Sequence, residues 1–247
     1  MDFICFKKDN LNVKIFKTRE EMGKNAACDI YDVIKMLLDK KSEINMIFAA
    51  APSQNDVLGA LIKMDIEWER INAYHMDEYV GISKNAPQSF ERYLREHIFD
   101  LVPFKSVNFI SDYGLDYSKL LKENHIDIVC LGIGENGHIA FNDPGVADFC
   151  DKELIKKVEL DQMCRNQQVN DGCFEKLSDV PTHALTLTIP QMISADYMFC
   201  AVPCSTKRQA VYNTINSPIN EDCPATILRE HKNATLYCDY ESGKDFV

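Results

Sequence analysis

Three short runs of the 247-residue chain place residues able to move protons or hold a phosphate directly after apolar stretches. The first is Asp77-Glu78, which follows the apolar run Ile71–His75. In open α/β sheets a carboxylate just beyond the end of a strand faces the ligand crevice. The second is Gly132-Ile-Gly-Glu-Asn-Gly-His-Ile-Ala-Phe-Asn-Asp-Pro-Gly145. Its glycines let the backbone approach a ligand closely or take a positive φ. The same loop carries Glu135, Asn136, His138 and Asp143, and a histidine flanked by a carboxylate and an amide can be oriented and tautomerically fixed for proton transfer. The third is Cys204-Ser-Thr-Lys207 at a strand-to-helix junction, where a lysine and helix N-terminal amides can meet a phosphate. Arg165, within Met163–Gln168, is a further candidate cation. From these residues alone the reading is a phosphorylated small molecule and proton transfer by carboxylate and histidine.

The elements that must position them alternate between helical and strand patterns, the signature of an α/β fold with a largely parallel sheet. Thr18-Arg-Glu-Glu21 is a capping-box sequence that opens an amphipathic helix running to about Asp39. Ile44–Ala51 has strand length and is followed by the polar turn Pro52-Ser-Gln-Asn-Asp56 and a helix from about Val57 to Met64. Ile71–His75 reads as a strand, and Pro87 opens a helix to about Ile98. Ile126–Gly132 is nearly all apolar, as befits a central strand covered on both faces. A helix from about Asp161 to Val169, strands at Ala184–Ile189 and Tyr197–Val202, a helix capped by Ser205 or Thr206 and a closing strand at Thr235–Cys238 complete the expectation. No repeat or domain boundary is visible.

A hydrophobic content of 46% argues against disorder and for a large core. The formal net charge of -11 disfavours nucleic-acid binding, which needs a basic face, but leaves room for a local phosphate site. None of the ten cysteines forms a CxxC or zinc-finger spacing, and His97, His125, His183 and His231 are too scattered to group, so no metal site is expected. Neither an organic cofactor nor nicotinamide chemistry is expected. Free thiols, no signal-sequence pattern after Met1 and no apolar run of bilayer length point to a cytoplasmic protein without a membrane partner.

The chain resembles the glucosamine-6-phosphate deaminase (isomerase) family, which shares its fold with 6-phosphogluconolactonases. Three segments carry the resemblance: His75-Met-Asp-Glu-Tyr-Val-Gly81 with Pro87-Gln-Ser-Phe90, the run Gly132–Gly145, and Lys207 in its strand-to-helix setting. Weaker agreement extends from Val180-Pro-Thr-His-Ala-Leu-Thr186 to the end. After the last glycine of the loop the lactonases typically read His-Thr-Ala-Ser, whereas this chain has the deaminase form, His138-Ile-Ala-Phe-Asn142. The resemblance implies an α/β, Rossmann-like three-layer sandwich with a mostly parallel sheet, formed as a single domain over residues 1–247.

By that resemblance Asp77 is the base that moves a proton between C2 and C1 of an open-chain amino-sugar phosphate. His138, with Asn136 and Asp143 beside it, helps open the pyranose ring. Ser53, Gln54, Gly137, Lys207 and Arg165 contact the substrate, and the products are a ketose 6-phosphate and ammonia, formed without metal or cofactor. The partner is then a small sugar phosphate, and a homo-oligomer is compatible with the sequence. Several positions depart from the family pattern. Asn136 stands where members usually carry aspartate, and Asp143 where they usually carry glutamate. The phosphate loop Pro52–Asp56 lacks the usual Thr-Gly-(Ser/Gly)-Thr-Pro, and the family's phosphate arginine falls near Gly172, leaving Arg165 to supply that contact. Val146-Ala-Asp148 and the short C-terminus argue against allosteric activation. An amide at 136 can hydrogen-bond the imidazole but gives imidazolium no charge stabilisation. The expectation is therefore a divergent deaminase acting on glucosamine 6-phosphate or galactosamine 6-phosphate. The alternatives are a 6-phosphogluconolactonase-type hydrolase and a non-catalytic sugar-phosphate sensor.

Overall fold

The computed structural model describes residues 3–160, 162–170 and 172–247, and of Met163 and Gln167 the backbone alone. The chain opens with a hairpin, β1 (Ile4–Lys8) and β2 (Leu11–Ile15), turned at Asp9-Asn10 with Asp9 at φ 53°. Next come α1 (Arg19–Leu38), β3 (Ile44–Phe48), α2 (Asn55–Leu61), β4 (Ile71–His75) and β5 (Asp77–Tyr79). The middle holds α3 (Phe90–Leu94), β6 (Ser106–Asn108), α4 (Ile110–Tyr113), α5 (Tyr117–Glu123) and β7 (Ile128–Leu131). Then follow β8 (Ile155–Glu159), α6 (Gln162–Asn170), β9 (His183–Leu187), α7 (Ile189–Ile193), β10 (Tyr197–Val202), α8 (Arg208–Asn216) and β11 (Ala234–Cys238).

Eight strands form one sheet in the order β1-β2-β11-β10-β7-β3-β4-β6. Every pairing in it is parallel except β1 with β2. The antiparallel β1 hairpin is one of the elements absent from the expected set. Alternate residues of each central strand go to opposite faces. Met46, Phe48, Ile128 and Cys130 pack with Ile30, Ile34, Leu58 and Leu94 of α1, α2 and α3. Ile47, Val129, Leu131 and Met198 pack with Tyr117, Leu121, Met192 and Val211 of α5, α7 and α8. Coverage on both faces is why these strands read as unbroken apolar runs. The expected three-layer α/β architecture with a mostly parallel sheet is thus present.

At α1 the N-cap half of the expected capping box is present: the Thr18 side chain accepts from the Glu21 N–H. The junction after β10 differs. Neither Ser205 nor Thr206 caps α8; a 3₁₀ turn over Ser205–Lys207 intervenes, entered from Cys204 at φ 82°. The expected strand at Ala184–Ile189 exists as β9, but it lies in a separate antiparallel sheet, β5-β9-β8. The helix expected from Asp161 is seen from Gln162, and Asp161 itself lies outside the described residues. No helix among the described residues is long and apolar enough to cross a membrane, and all ten cysteines are unbridged.

Candidate active site

β3 sends its connection to β4 on one side, while β7, its other neighbour, leads to β10 on the opposite side. Crevices at such reversals, beyond the carboxyl ends of the strands, are where open α/β sheets bind ligands. A cleft lies there, walled by the segments after β3, β7 and β10 and by Asp77 at the start of β5. Asp77, Ser53, His138 and Lys207, drawn from four distant stretches of chain, all line it.

Asp77 is 6% exposed. Met76, Phe90, Ile133 and Phe141 supply apolar wall to the same cleft, and the Phe90 and Phe141 rings stack with centroids 5.6 Å apart. Burial first, and the neighbouring Glu78 carboxylate second, hold the Asp77 carboxyl well above the usual carboxylate range. A carboxylate so desolvated is a stronger base than one in water. Glu78 points to the other side of the strand. It accepts from Ser89 Oγ at 2.8 Å and from the N–H groups of Tyr79, Phe90 and Glu91 at 2.9, 3.2 and 2.9 Å. It therefore fastens the start of α3, and with it Phe90, to the strand that carries Asp77. His75, just before, is fully buried, and burial depresses its pKa to about 3, so it stays neutral.

The glycine-rich loop brings His138 to the cleft against Gly134. A methyl group on Gly134 would sit 2.2–2.4 Å from the imidazole ring, so only glycine permits this packing. Nδ1 of His138 lies 2.8 Å from Oδ1 of Asp143, an ion-pair distance that falls off the line of a directed hydrogen bond. That leaves Nε2 as the nitrogen for a ligand. Asn136 does not reach the ring, contrary to expectation: its Oδ1 accepts from the His138 backbone N–H at 3.0 Å and its Nδ2 donates to Asp143 Oδ1 at 2.8 Å. Burial raises the Asp143 pKa, but the imidazole and the Asn136 amide outweigh it and hold the carboxyl below its ordinary value. The charge partner of His138 is thus Asp143, and the amide buttresses the carboxylate.

Other expected contacts go elsewhere. Gln54 is buried, and its Nε2 donates to the carbonyls of Leu131 at 2.9 Å and Ala201 at 3.4 Å, tying β7 to β10 under the cleft. Gly137, at φ 87°, gives its N–H to Gly134 O and accepts from Ala225 N, so it shapes the loop from behind. Arg165 spends Nη2 on the carbonyls of Leu177 at 2.8 Å and Val180 at 3.0 Å, and it does not line the cleft. The cation that does so beside Lys207 is Arg19. Its Nε meets Asp56 Oδ2 at 2.5 Å, its Nη2 donates to Pro52 O and its Nη1 lies 3.6 Å from Cys204 Sγ. Arg19 was hidden inside the capping-box sequence, where an arginine looks like helix surface.

Two further residues were not singled out in the sequence. Thr186 of β9 pairs with Asp77 and accepts from the Phe141 N–H at 3.1 Å, while Asn142 Nδ2 donates to Leu187 O at 2.8 Å. Cys164 of α6 comes to within 4.8 Å of the His138 and Asp143 donor atoms. Gly132-Ile-Gly-Glu-Asn-Gly137 also has the spelling of the dinucleotide fingerprint G-x-G-x-x-G. Such a site needs a helix to open on the last glycine; here Gly137 leads into turns and the isolated bridge Ile139–Asn142.

The glucosamine-6-phosphate isomerases/6-phosphogluconolactonase family model matches residues 17–237, and the chain belongs to that family. It is 30% identical over 239 residues to the glucosamine-6-phosphate deaminase of Bacillus cereus (strain B4264), covering 94% of this chain and 88% of that one. A solved monomeric glucosamine-6-phosphate deaminase superimposes with a TM-score of 0.83 at 27% identity, covering 94% of this chain and 98% of the other. The 6-phosphogluconolactonase of Thermotoga maritima shares the fold, with a TM-score of 0.75 at 17% identity over 92% and 98% of the two chains.

Proposed function

We propose that the protein is an amino-sugar-phosphate deaminase that converts glucosamine 6-phosphate, or its galacto epimer, to a ketose 6-phosphate and ammonia. The observation that carries this reading is the meeting of a desolvated carboxylate, Asp77, and an acid-backed imidazole, His138, in one cleft that also holds two cations, Arg19 and Lys207. The phosphate is held by Lys207, Arg19 and the Ser53 hydroxyl. Its position leaves the sugar's reducing end toward Asp77 and His138. Nε2 of His138 exchanges a proton with the ring oxygen as the pyranose opens, and Asp77 then carries a proton from C2 to C1. The C2 amino group leaves as ammonia once C2 has become an imine carbon and water has added to it. Abstraction next to an imine or carbonyl needs a positioned base, worth roughly 10²–10⁴-fold in rate.

The test is incubation of purified protein with each hexosamine 6-phosphate, measuring ammonia and ketose phosphate, with Asp77→Asn as the control. Ammonia from at least one epimer, absent in the variant, is the expected result. Hydrolysis of 6-phosphogluconolactone without ammonia from either amino sugar would instead select the lactonase chemistry of the fold neighbours. Binding of sugar phosphate with no turnover of either kind would select a sensor.

A further inference from the structure

Sequence spacing shows no metal-ligand set, yet the fold assembles one. A ring nitrogen of His138, a carboxylate oxygen of Asp143 and Cys164 Sγ lie within 4.8 Å of one another, and all three residues are buried. The chain separation between Asp143 and Cys164 conceals this: the loop after β7 and helix α6 meet only in the folded molecule. A second cluster of the same kind, His125, Asp127 and Asp196, is exposed at His125, and Lys41 already pairs with both of its carboxylates. The buried cluster has no lysine or arginine pairing with its carboxylate among the described residues. His138 Nδ1 and Asp143 Oδ2 lack a well-aligned hydrogen bond, and the Asp143 carboxyl has the Cys164 thiol beside it as well as the imidazole and the Asn136 amide. Asp143 Oδ1 is occupied by the Asn136 amide, so Oδ2 is the oxygen turned to other partners.

We propose that His138, Asp143 and Cys164 form a binding site for a borderline-soft divalent ion such as Zn²⁺. Imidazole nitrogen, carboxylate oxygen and thiolate sulfur are the three ligand types zinc takes, at about 2.0–2.3 Å, and three protein ligands leave a fourth position for water. His138 borders the cleft, which gives the ion a route in. On binding, the Cys164 thiol loses its proton to solvent as the metal–sulfur bond forms, so affinity rises with pH. The ion takes the imidazole nitrogen that otherwise faces Asp143 and fixes the ring on the metal. The inference stands on the donor geometry and does not depend on which sugar phosphate the cleft accepts.

Co²⁺ is the spectroscopic stand-in for zinc. The full-length protein, titrated with CoCl₂ and then displaced with ZnCl₂, is expected to bind one equivalent and to show a thiolate-to-cobalt charge-transfer band that zinc abolishes. Cys164→Ala, checked for native circular dichroism, should lose that band, and Asp143→Asn, with its thiol intact, should weaken binding by about tenfold or more. Should Cys164→Ala fail to fold, Cys164→Ser takes its place in the same titration. No stoichiometric binding by the parent protein overturns the proposal, as does an unchanged band in the cysteine variant, which would place the metal on other thiols.

Discussion

Asn136 and His138 converge on one oxygen: the amide Nδ2 and the imidazole Nδ1 each lie 2.8 Å from Oδ1 of Asp143. The amide therefore sets the carboxylate's orientation, and through it the ring's. Asn136→Ala removes this donor and the acceptor for the His138 N–H in a part-buried setting. Stability should fall by about 1–3 kcal/mol, the range for leaving buried polar groups unpaired. Turnover should fall with KM little changed, which urea unfolding and steady-state kinetics will separate.

In the proposed reaction Asp77 carries the pH dependence. Its carboxyl is held well above the ordinary range by burial and by Glu78, and as a base it acts only when ionised. Activity should therefore be lost as pH falls through that raised pKa, placing the acid limb of kcat/KM above the pH at which a solvated aspartate protonates, about 3.9. The stability sign is opposite. A carboxyl whose folded pKa exceeds its unfolded value costs stability as pH rises through that interval, and the cost persists above it. Asp77→Asn should raise the melting temperature at neutral pH, with the gain vanishing in acid, while turnover drops roughly 10²–10⁴-fold.

The two cations of the cleft should behave alike, and the expected third should not. Arg19→Gln and Lys207→Gln should each raise KM by about 10–100-fold, the equivalent of losing charged hydrogen bonds of roughly 1.5–3 kcal/mol. Arg165→Gln, whose guanidinium binds the backbone of residues 177 and 180, should leave KM near the parent value and lower thermal stability instead.

Gly134→Ala is a steric probe. The added methyl collides with the imidazole at 2.2–2.4 Å, so His138 must leave its place against the loop. Turnover should fall at least about tenfold, while phosphate binding, measured calorimetrically, should persist.

Glu78 tests how the base is held. Glu78→Ala strips the acceptor from Ser89 and from the N–H groups of Tyr79, Phe90 and Glu91. A loss of about 2 kcal/mol or more is expected from the orphaned donors, visible as a lower melting temperature.

Much of the frame was readable in the sequence because the central strands are covered on both faces and the α1 cap is spelled by local chemistry. Ile71–His75 and Tyr197–Val202 are strands over those same bounds. Asp77, His138 and Lys207 could be named because each follows a strand end, and Ser53 through the family resemblance. What escaped depends on contacts between distant segments. β1 is a short edge strand exposed along much of its length, so it has little apolar signature, although Asp9-Asn10 was a readable hairpin turn. β5 has three residues, and nothing in the sequence of its partner β9 told which sheet that strand would join. Arg19 was not singled out, and Arg165 was taken for a ligand-facing residue, because a side chain's direction along a helix says nothing about what lies opposite it.

β9 acts as a gauge. One of its residues, Thr186, lies opposite Asp77 and also accepts from Phe141, three positions beyond His138 in the loop, while Leu187 holds Asn142. The offset between Asp77 and His138 is thus measured off a strand that contributes neither of them. A slip of a single residue there would invert the faces of the small sheet and part the pair while every recognisable motif stayed intact. The register of β9 thus bears on the cleft although the strand supplies neither group.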